Sequence, residues 1–195
     1  IGYHPALLPR NRGRHPIIWA LVLGLSETGS TFFQMDTGAD SGDIISQRRV
    51  PIHPDDDAAR LYKRLNETAE EQLAEITLAL TRGTLRRHPQ DHSKATYWRK
   101  RTAEDGCIDW RMTSTAIVNL VRGLNRPYVG AHCTFLDKDV KIWKTVAVPC
   151  PEHDIEPGKI LDNSKEGILI KSGDGAVRVI EHEFGDISDE YEYVK

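Results

Sequence analysis

Two short stretches hold the residues best suited to chemistry. One is "IGYHPALLPRNRGRHP", with His4 in a proline-rich loop; the other is "FFQMDTGADSGDI", with Asp36, Asp40 and Asp43 among small residues. The tripeptide Asp36-Thr37-Gly38, preceded by apolar residues and followed by Ala39, is also how an aspartic protease presents its catalytic carboxylate. Such an enzyme needs two carboxylates that share one proton. Asp-Thr-Gly occurs once here, so the second carboxylate would have to come from another subunit, and the long helix that follows does not suit the all-β fold of such dimers. A calcium loop wants acids at alternate positions and a glutamate at the twelfth, whereas these three aspartates are spaced four and three apart. His4 and His15 have no cysteine or third histidine near them, so no metal site is expected.

A histidine and a carboxylate brought together suit general-base work. The imidazole can take a proton near neutral pH, and the acid fixes its tautomer and stabilises the imidazolium. For that, residues 1–3 must finish a strand beside the strand that ends at Asp36, so that two loops at the carboxyl ends of neighbouring strands share a crevice. The alternative is a surface histidine beside a capping aspartate. Gly38 and Gly42 permit positive φ and close backbone approach in either case.

Composition sets broad limits. The 195 residues allow one domain, or one domain with a small second one. A net charge of -3 gives no basic surplus, so nucleic acid is not expected as a partner. Cys107, Cys133 and Cys150 are few, odd in number and without metal spacing, which fits a reducing, cytoplasmic setting. No apolar run approaches the roughly 18 residues of a membrane span. The chain opens on Ile1 in what reads as a strand end, as a fragment with a start further upstream would.

The elements around the two stretches follow from periodicity. Pro16 suits a first helical turn and "IIWALVLG" a buried helix ending at Gly24. Gly29 to Asp36 and "DIISQRRVPI" read as strands. Asp55, Asp56 and Asp57 cap a long helix whose inner stripe is predicted to hold Leu61, Leu65, Ala69, Leu73, Ile76 and Leu80, closed by Gly83. Thr84 to Gly106 is polar and basic, a linker or a substrate-facing loop. A short helix with Ile117, Leu120, Val121 and Leu124 on one stripe follows, and it or "NRPYVGA" serves either a dimer contact or the core. "VKIWKTVAV", "GKILD", "EGILIKSG" and "GAVRVIEHEF" then alternate with period two, as in a small β-barrel or sheet.

In order, "HPALLPRNRG", "ETGSTFFQMDTGADSGDI", "CIDW", "VRGLNRPYVGA", "VKIWK", "PGKIL" and "SGDGAVRV" resemble the formyltransferases that use 10-formyltetrahydrofolate. The resemblance spans nearly the whole chain. It implies an α/β chain: the C-terminal half of a Rossmann-like formyltransferase domain over residues 1–104, then a β-rich, OB-like domain over 105–195. It implies His4 and Asp40 as catalytic residues, with Leu8, Asp36, Thr37, Gly38 and Ala39 against the folate. Arg12 and Arg14 are expected to contact substrate phosphate or else to brace their loop. The "RKRTAEDGCIDW" and "NRGRHPIIWALVLGL" segments are most similar to the enzymes acting on nucleotide-linked amino sugars, so that small molecule is the expected acceptor. Methionyl-tRNA formyltransferase is the alternative, as is a folate-binding relative with impaired catalysis. One departure bears on this: the family has an asparagine two residues before the histidine, and here Gly2 stands there. Losing an oxyanion donor commonly costs roughly 10²–10³ in rate.

Overall fold

The computed structural model describes residues 1–187, 193 and 194. They fall into two compact units, residues 1–20 with 25–101, and residues 21–24 with the chain from 102 onward. No helix among the described residues is long and apolar enough to cross a membrane.

The first unit is mixed α/β. Its elements are β1 (Gly2–His4), β2 (Arg12–Gly13), α1 (Pro16–Val22, whose last two residues belong to the second unit), β3 (Glu27–Phe33), β4 (Ile44–Pro51), α2 (Ala58–Thr81) and β5 (Tyr97–Trp98). Strands β1, β3 and β4 form one sheet in the order β1-β3-β4. The expectation of neighbouring carboxyl ends is corrected here: β1 runs antiparallel to β3, with Gly2 opposite Phe33 and His4 opposite Thr31. The physical reason lies in the chain that leaves β1, which turns back over β3. Thr31 Oγ1 donates to the Ala6 carbonyl (2.6 Å) and Thr28 Oγ1 to the Pro5 carbonyl (3.1 Å). Gly29 leaves the space this needs, since a Cβ there would stand 2.8 Å from the Ala6 backbone.

Helix α2 starts at Asp57, whose side chain accepts from the Arg60 amide, and stops at Gly83 with φ +66°. It buries Ala58, Leu61, Leu65, Gln72 and Ile76. Leu73 and Leu80, predicted inside, are half exposed. Gln72 takes the inner place because its Nε2 donates to Ser46 Oγ (2.7 Å) and to the Ser30 carbonyl (3.2 Å), which turns the row of residues 72 and 76 onto the sheet. In α1, Ile17, Ile18, Ala20 and Leu21 are buried as expected, but Leu23 beyond its end is exposed. The segment read as a linker is tied down as far as Arg101. His88 pairs with Ile44, and β5 pairs in parallel with β2, Arg12 opposite Tyr97 and Gly13 opposite Trp98.

The second unit holds α3 (Ser114–Leu124) and the antiparallel strands β6 (Ala131–Phe135), β7 (Lys138–Val148), β8 (Ile160–Ser164), β9 (Gly167–Lys171) and β10 (Ala176–His182), in the order β6-β7-β10-β9-β8. Thr113 caps α3, and the predicted stripe of Ile117, Leu120, Val121 and Leu124 is buried within this unit. Asp174 in the β9–β10 turn accepts from the Ser114 amide and hydroxyl, both at 2.7 Å, which fixes the helix start. Strand β6 was not legible as a strand in the sequence. Its inward residues Ala131, Cys133 and Phe135 alternate correctly, but small and polar neighbours mask the pattern.

The connection into α2 makes a stability prediction. Asp56 is buried, takes both Arg64 nitrogens (2.5 and 2.9 Å) and accepts from the His53 amide (2.7 Å). Burial favours its neutral form, but the Arg64 guanidinium and the His53 amide outweigh this and hold the pKa below the ordinary carboxylate value. A lowered folded-state pKa contributes stability above the unfolded pKa and loses it as pH falls through the folded one. Asp56→Asn is therefore expected to cost about 2 kcal/mol at pH 7. The gap to the wild type should narrow as pH falls from the unfolded carboxylate value through the folded one, as urea unfolding followed from pH 7 down through the acid range would show.

Candidate active site

His4 ends β1 with its side chain 5% exposed. Its Nε2 donates to the carbonyl of Asn11 at 2.7 Å, since that oxygen can only accept. The proton carried by the neutral ring thus sits on Nε2, and Nδ1 faces Asp40 Oδ2 at 3.5 Å. Asp40 is 21% exposed and its Oδ2 also takes the Gly13 amide at 2.8 Å. The structure therefore brings His4 and Asp40 together, although their strands do not point the same way. The chain that performs this is residues 11–13. Asn11 adopts φ +61° and Gly13 φ +101°, and a Cβ on Gly13 would lie 2.4 Å from the Trp98 carbonyl. One departure from expectation concerns tautomer control: the Asn11 carbonyl sets it, while Asp40 faces the other nitrogen.

Asp36 has a different part. Its Oδ1 accepts from the Ser41 hydroxyl (2.7 Å) and the Gly38 amide (3.0 Å). The Ser41 hydroxyl is the main cause that holds its pKa below the ordinary carboxylate range, and the Gly38 amide adds to it. The protease-like tripeptide is thus a self-contained turn in which the carboxylate braces its own loop. Thr37, Gly38 and Ala39 are exposed along that turn. Leu8 is not with them: it is buried, and its carbonyl accepts from Gln47 Nε2 at 2.9 Å.

The two arginines part company as well. Arg12 is 1% exposed, and its guanidinium donates to Gln90 Oε1 (2.7 and 3.3 Å) and Tyr97 Oη (2.8 Å) and lies 3.3 Å from His92 Nδ1. These contacts tie the buried guanidinium to Gln90 and Tyr97. Arg14 is exposed, with its amide bonded to the Trp98 carbonyl. That pairing sets Arg14 beside the start of the run Arg99-Lys100-Arg101. Arg99 and Lys100 are exposed, whereas Arg101 is buried with its guanidinium 4.6 Å from the Trp19 ring. Sequence reasoning missed Asn11, Gly13 and Gln90. The "NRG" turn was a local signal for the first two; a lone glutamine in a polar run offered none. Among the described residues no group of three or more His, Cys, Asp or Glu could hold a metal ion.

Two family models match the chain: formyl transferase over residues 1–77, and formyl transferase, C-terminal domain, over residues 100–190. The chain belongs to the formyl transferase family. The methionyl-tRNA formyltransferase of Geobacter metallireducens is 41% identical over 182 residues, 93% of this chain and 57% of that protein. The chain spans only 55% to 58% of the length of the first curated relatives it matches. Among solved structures, HypX from Aquifex aeolicus in complex with tetrahydrofolic acid superposes with TM-score 0.71 at 23% identity, over 91% of this chain and 30% of that one. An N-formyltransferase from Helicobacter canadensis in complex with folinic acid and dTDP-3-aminofucose gives TM-score 0.71 at 21% identity, over 91% and 64%. At these identities the two structures establish a shared fold.

Two variants probe the site's construction. Arg12→Met strips Gln90 and Tyr97 of a buried partner and is expected to cost about 1–3 kcal/mol. The loss should appear as faster hydrogen exchange at the Arg12 and Arg14 amides, which bond to Thr96 and Trp98. Gly2→Asn places a Cβ 2.8 Å from Phe33 Cζ and 3.0 Å from Met35 Cγ. Because Phe33 is buried, a thermal melt should show a loss worth about 1–3 kcal/mol, recovered in part by a second change, Phe33→Leu.

Proposed function

We propose that residues 1–104 form the formyl-transfer domain and 105–195 the β-rich domain of an enzyme that moves a formyl group from 10-formyltetrahydrofolate to the amino group of a nucleotide-linked amino sugar. The observation that carries the reaction class is the His4–Asp40 pair, one member buried and the other reaching solvent. The amine has to lose a proton as it attacks. With Nε2–H committed to the Asn11 carbonyl, Nδ1 is the nitrogen with a lone pair, and it lies beside the carboxylate. A proton taken there leaves the ring with a donor toward each of two oxygens, Asn11 O and Asp40 Oδ2; as the formyl carbon bonds to the amine, its bond to the folate N10 breaks, and N10 takes up that proton to leave as tetrahydrofolate. Asp40, the more exposed member, orients the approaching amine.

The folate supplies the activated one-carbon unit when bound. The residues present fit it: Thr37, Gly38 and Ala39 offer an exposed backbone ridge with small side chains, and Asp36 rigidifies that ridge from within. A flat ring that pairs with backbone groups suits such a surface. Leu8 would line the same pocket only after rearrangement, since it is buried.

Charge distribution supports the acceptor. From residue 102 to 195 eleven Lys and Arg stand against seventeen Asp and Glu, a poor surface for a long polyanion. Exposed basic side chains stand instead at Arg14, Arg99 and Lys100, brought near one another in the chain's fold by the Arg14 amide bond to the Trp98 carbonyl, and a diphosphate is the anion proposed for them. The identity to methionyl-tRNA formyltransferases favours a second reading, with aminoacyl-tRNA as acceptor. A cytoplasmic setting agrees with either acceptor.

Incubation of the protein with 10-formyltetrahydrofolate and either a panel of amino-sugar nucleotides or methionyl-tRNA, with release of tetrahydrofolate as the readout, separates these readings. Sugar-dependent release is the expected result. Release with tRNA alone would transfer the assignment to the second reading, and folate binding without release would mark a binding relative. His4→Ala and Asp40→Asn are each expected to abolish transfer with circular dichroism unchanged; near-normal turnover in either removes the proposed roles.

A further inference from the structure

Asp40 holds a backbone conformation, φ +53°, that a residue with a side chain rarely adopts, and something must keep it there. The geometry points to Gln90 as the positioning residue that fixes the Asp40 carboxylate. Gln90 lies fifty residues along the chain and is 6% exposed. Its Nε2 donates to the Asp40 carbonyl at 2.8 Å and to the Gly42 carbonyl at 2.6 Å. Its Oε1 accepts from Arg12 Nη2 at 2.7 Å and Nε at 3.3 Å.

The orientation of this amide is not free. Two carbonyls can only accept and a guanidinium can only donate, so nitrogen faces the loop and oxygen faces Arg12. Every hydrogen-bonding function of the side chain is used. Glutamate has no proton to offer the two carbonyls, lysine cannot accept from Arg12, and asparagine is one methylene short. Pinning carbonyls 40 and 42 fixes the turn on both sides of Ser41, and the Asp40 side chain then projects toward the Gly13 amide and His4 Nδ1. Arg12 completes the circuit, because it heads the same pair of residues whose next amide binds Asp40 Oδ2. Gln90 therefore acts through Asp40 and has no direct part in the reaction. The assignment rests on the proposed role of the His4–Asp40 pair.

Gln90→Glu is the discriminating change: it keeps an acceptor for Arg12, removes the donors to the Asp40 loop and adds a charge, for which the neutral Gln90→Met is the control. Gln90→Met, neutral and of similar length, is the second variant should the first not fold. In ¹⁵N-histidine-labelled protein, the His4 ring resonances of Gln90→Glu are expected to move toward those of Asp40→Asn. Resonances unchanged from the wild type would overturn the assignment, whether or not any acceptor is turned over. In the transfer assay kcat should fall about 10²-fold with KM for the folate nearly unchanged. In an Asp40→Asn background the same change should have no further effect on the His4 resonances; an equal additional shift there would show that Gln90 acts by another route and would likewise overturn it. Absence of turnover in the wild type with the His4 shift present would count against formyl transfer and leave the positioning role standing.

Discussion

Asp40 is where four separate parts of the chain converge. β1 brings His4, the turn after it brings the Gly13 amide, the β3–β4 connection supplies the residue itself, and Gln90 holds its carbonyl from below. None of these neighbours is close in sequence. An antiparallel β1–β3 pair sends the loop after β3 away from His4, by roughly 7 Å for the two residues between the Thr31 and Phe33 pairings. The loop must therefore fold back, and it does so at a residue in the left-handed region. The cost of that conformation, about 1–3 kcal/mol, is met by hydrogen bonds that would be lost together if the loop relaxed.

Apolar packing and polar contacts divide the labour in the first unit. Leu61, Leu65, Val50 and Phe33 supply the buried area that holds the sheet and α2 together. Their contacts tolerate small shifts, because dispersion is spread over many atoms. Thr28, Thr31, Gln47, Gln72, Gln90 and Arg12 are different. Each reaches a particular carbonyl or side-chain atom at hydrogen-bond distance, so each fixes a position to a few tenths of an ångström. A net value of about 1 kcal/mol each makes such bonds weak contributors to folding. Their consequence is geometric: the loops carrying His4 and Asp40 take one arrangement.

That division explains what could be read from the residues alone. The capping Asp57, the closing Gly83 and the three- and four-residue steps made α2 legible, because they are local. His4 and Asp40 stood out by chemical type, by flanking glycines and by resemblance. Leu73 and Leu80 were misplaced because hydrophobic periodicity gives no weight to a glutamine, while Gln72 had two buried oxygens to satisfy. The antiparallel sense of β1 was illegible since three residues carry no direction. Gln90 was illegible for a deeper reason: its partners are backbone carbonyls fifty residues away, and a carbonyl leaves no trace in residue identity. Arg12 and Arg14 look alike two positions apart, and only the β2–β5 pairing decides that one is buried and the other faces water.

The 3.5 Å between Nδ1 and Oδ2 is longer than a formed hydrogen bond, and with the ring proton on Nε2 no donor stands between them. His4 is fixed at both ends, by strand pairing at its backbone and by the Asn11 carbonyl at Nε2. Asp40 is fixed through its backbone carbonyl by Gln90 and through Oδ2 by the Gly13 amide. Residues 11–13 serve both partners at once, offering an acceptor to the imidazole and a donor to the carboxylate. A shift of that turn would weaken both contacts together. Uptake of a proton at Nδ1 is thus the event that puts a donor between the two atoms and tightens the pair, in keeping with catalytic hydrogen bonds that are long before substrate arrives.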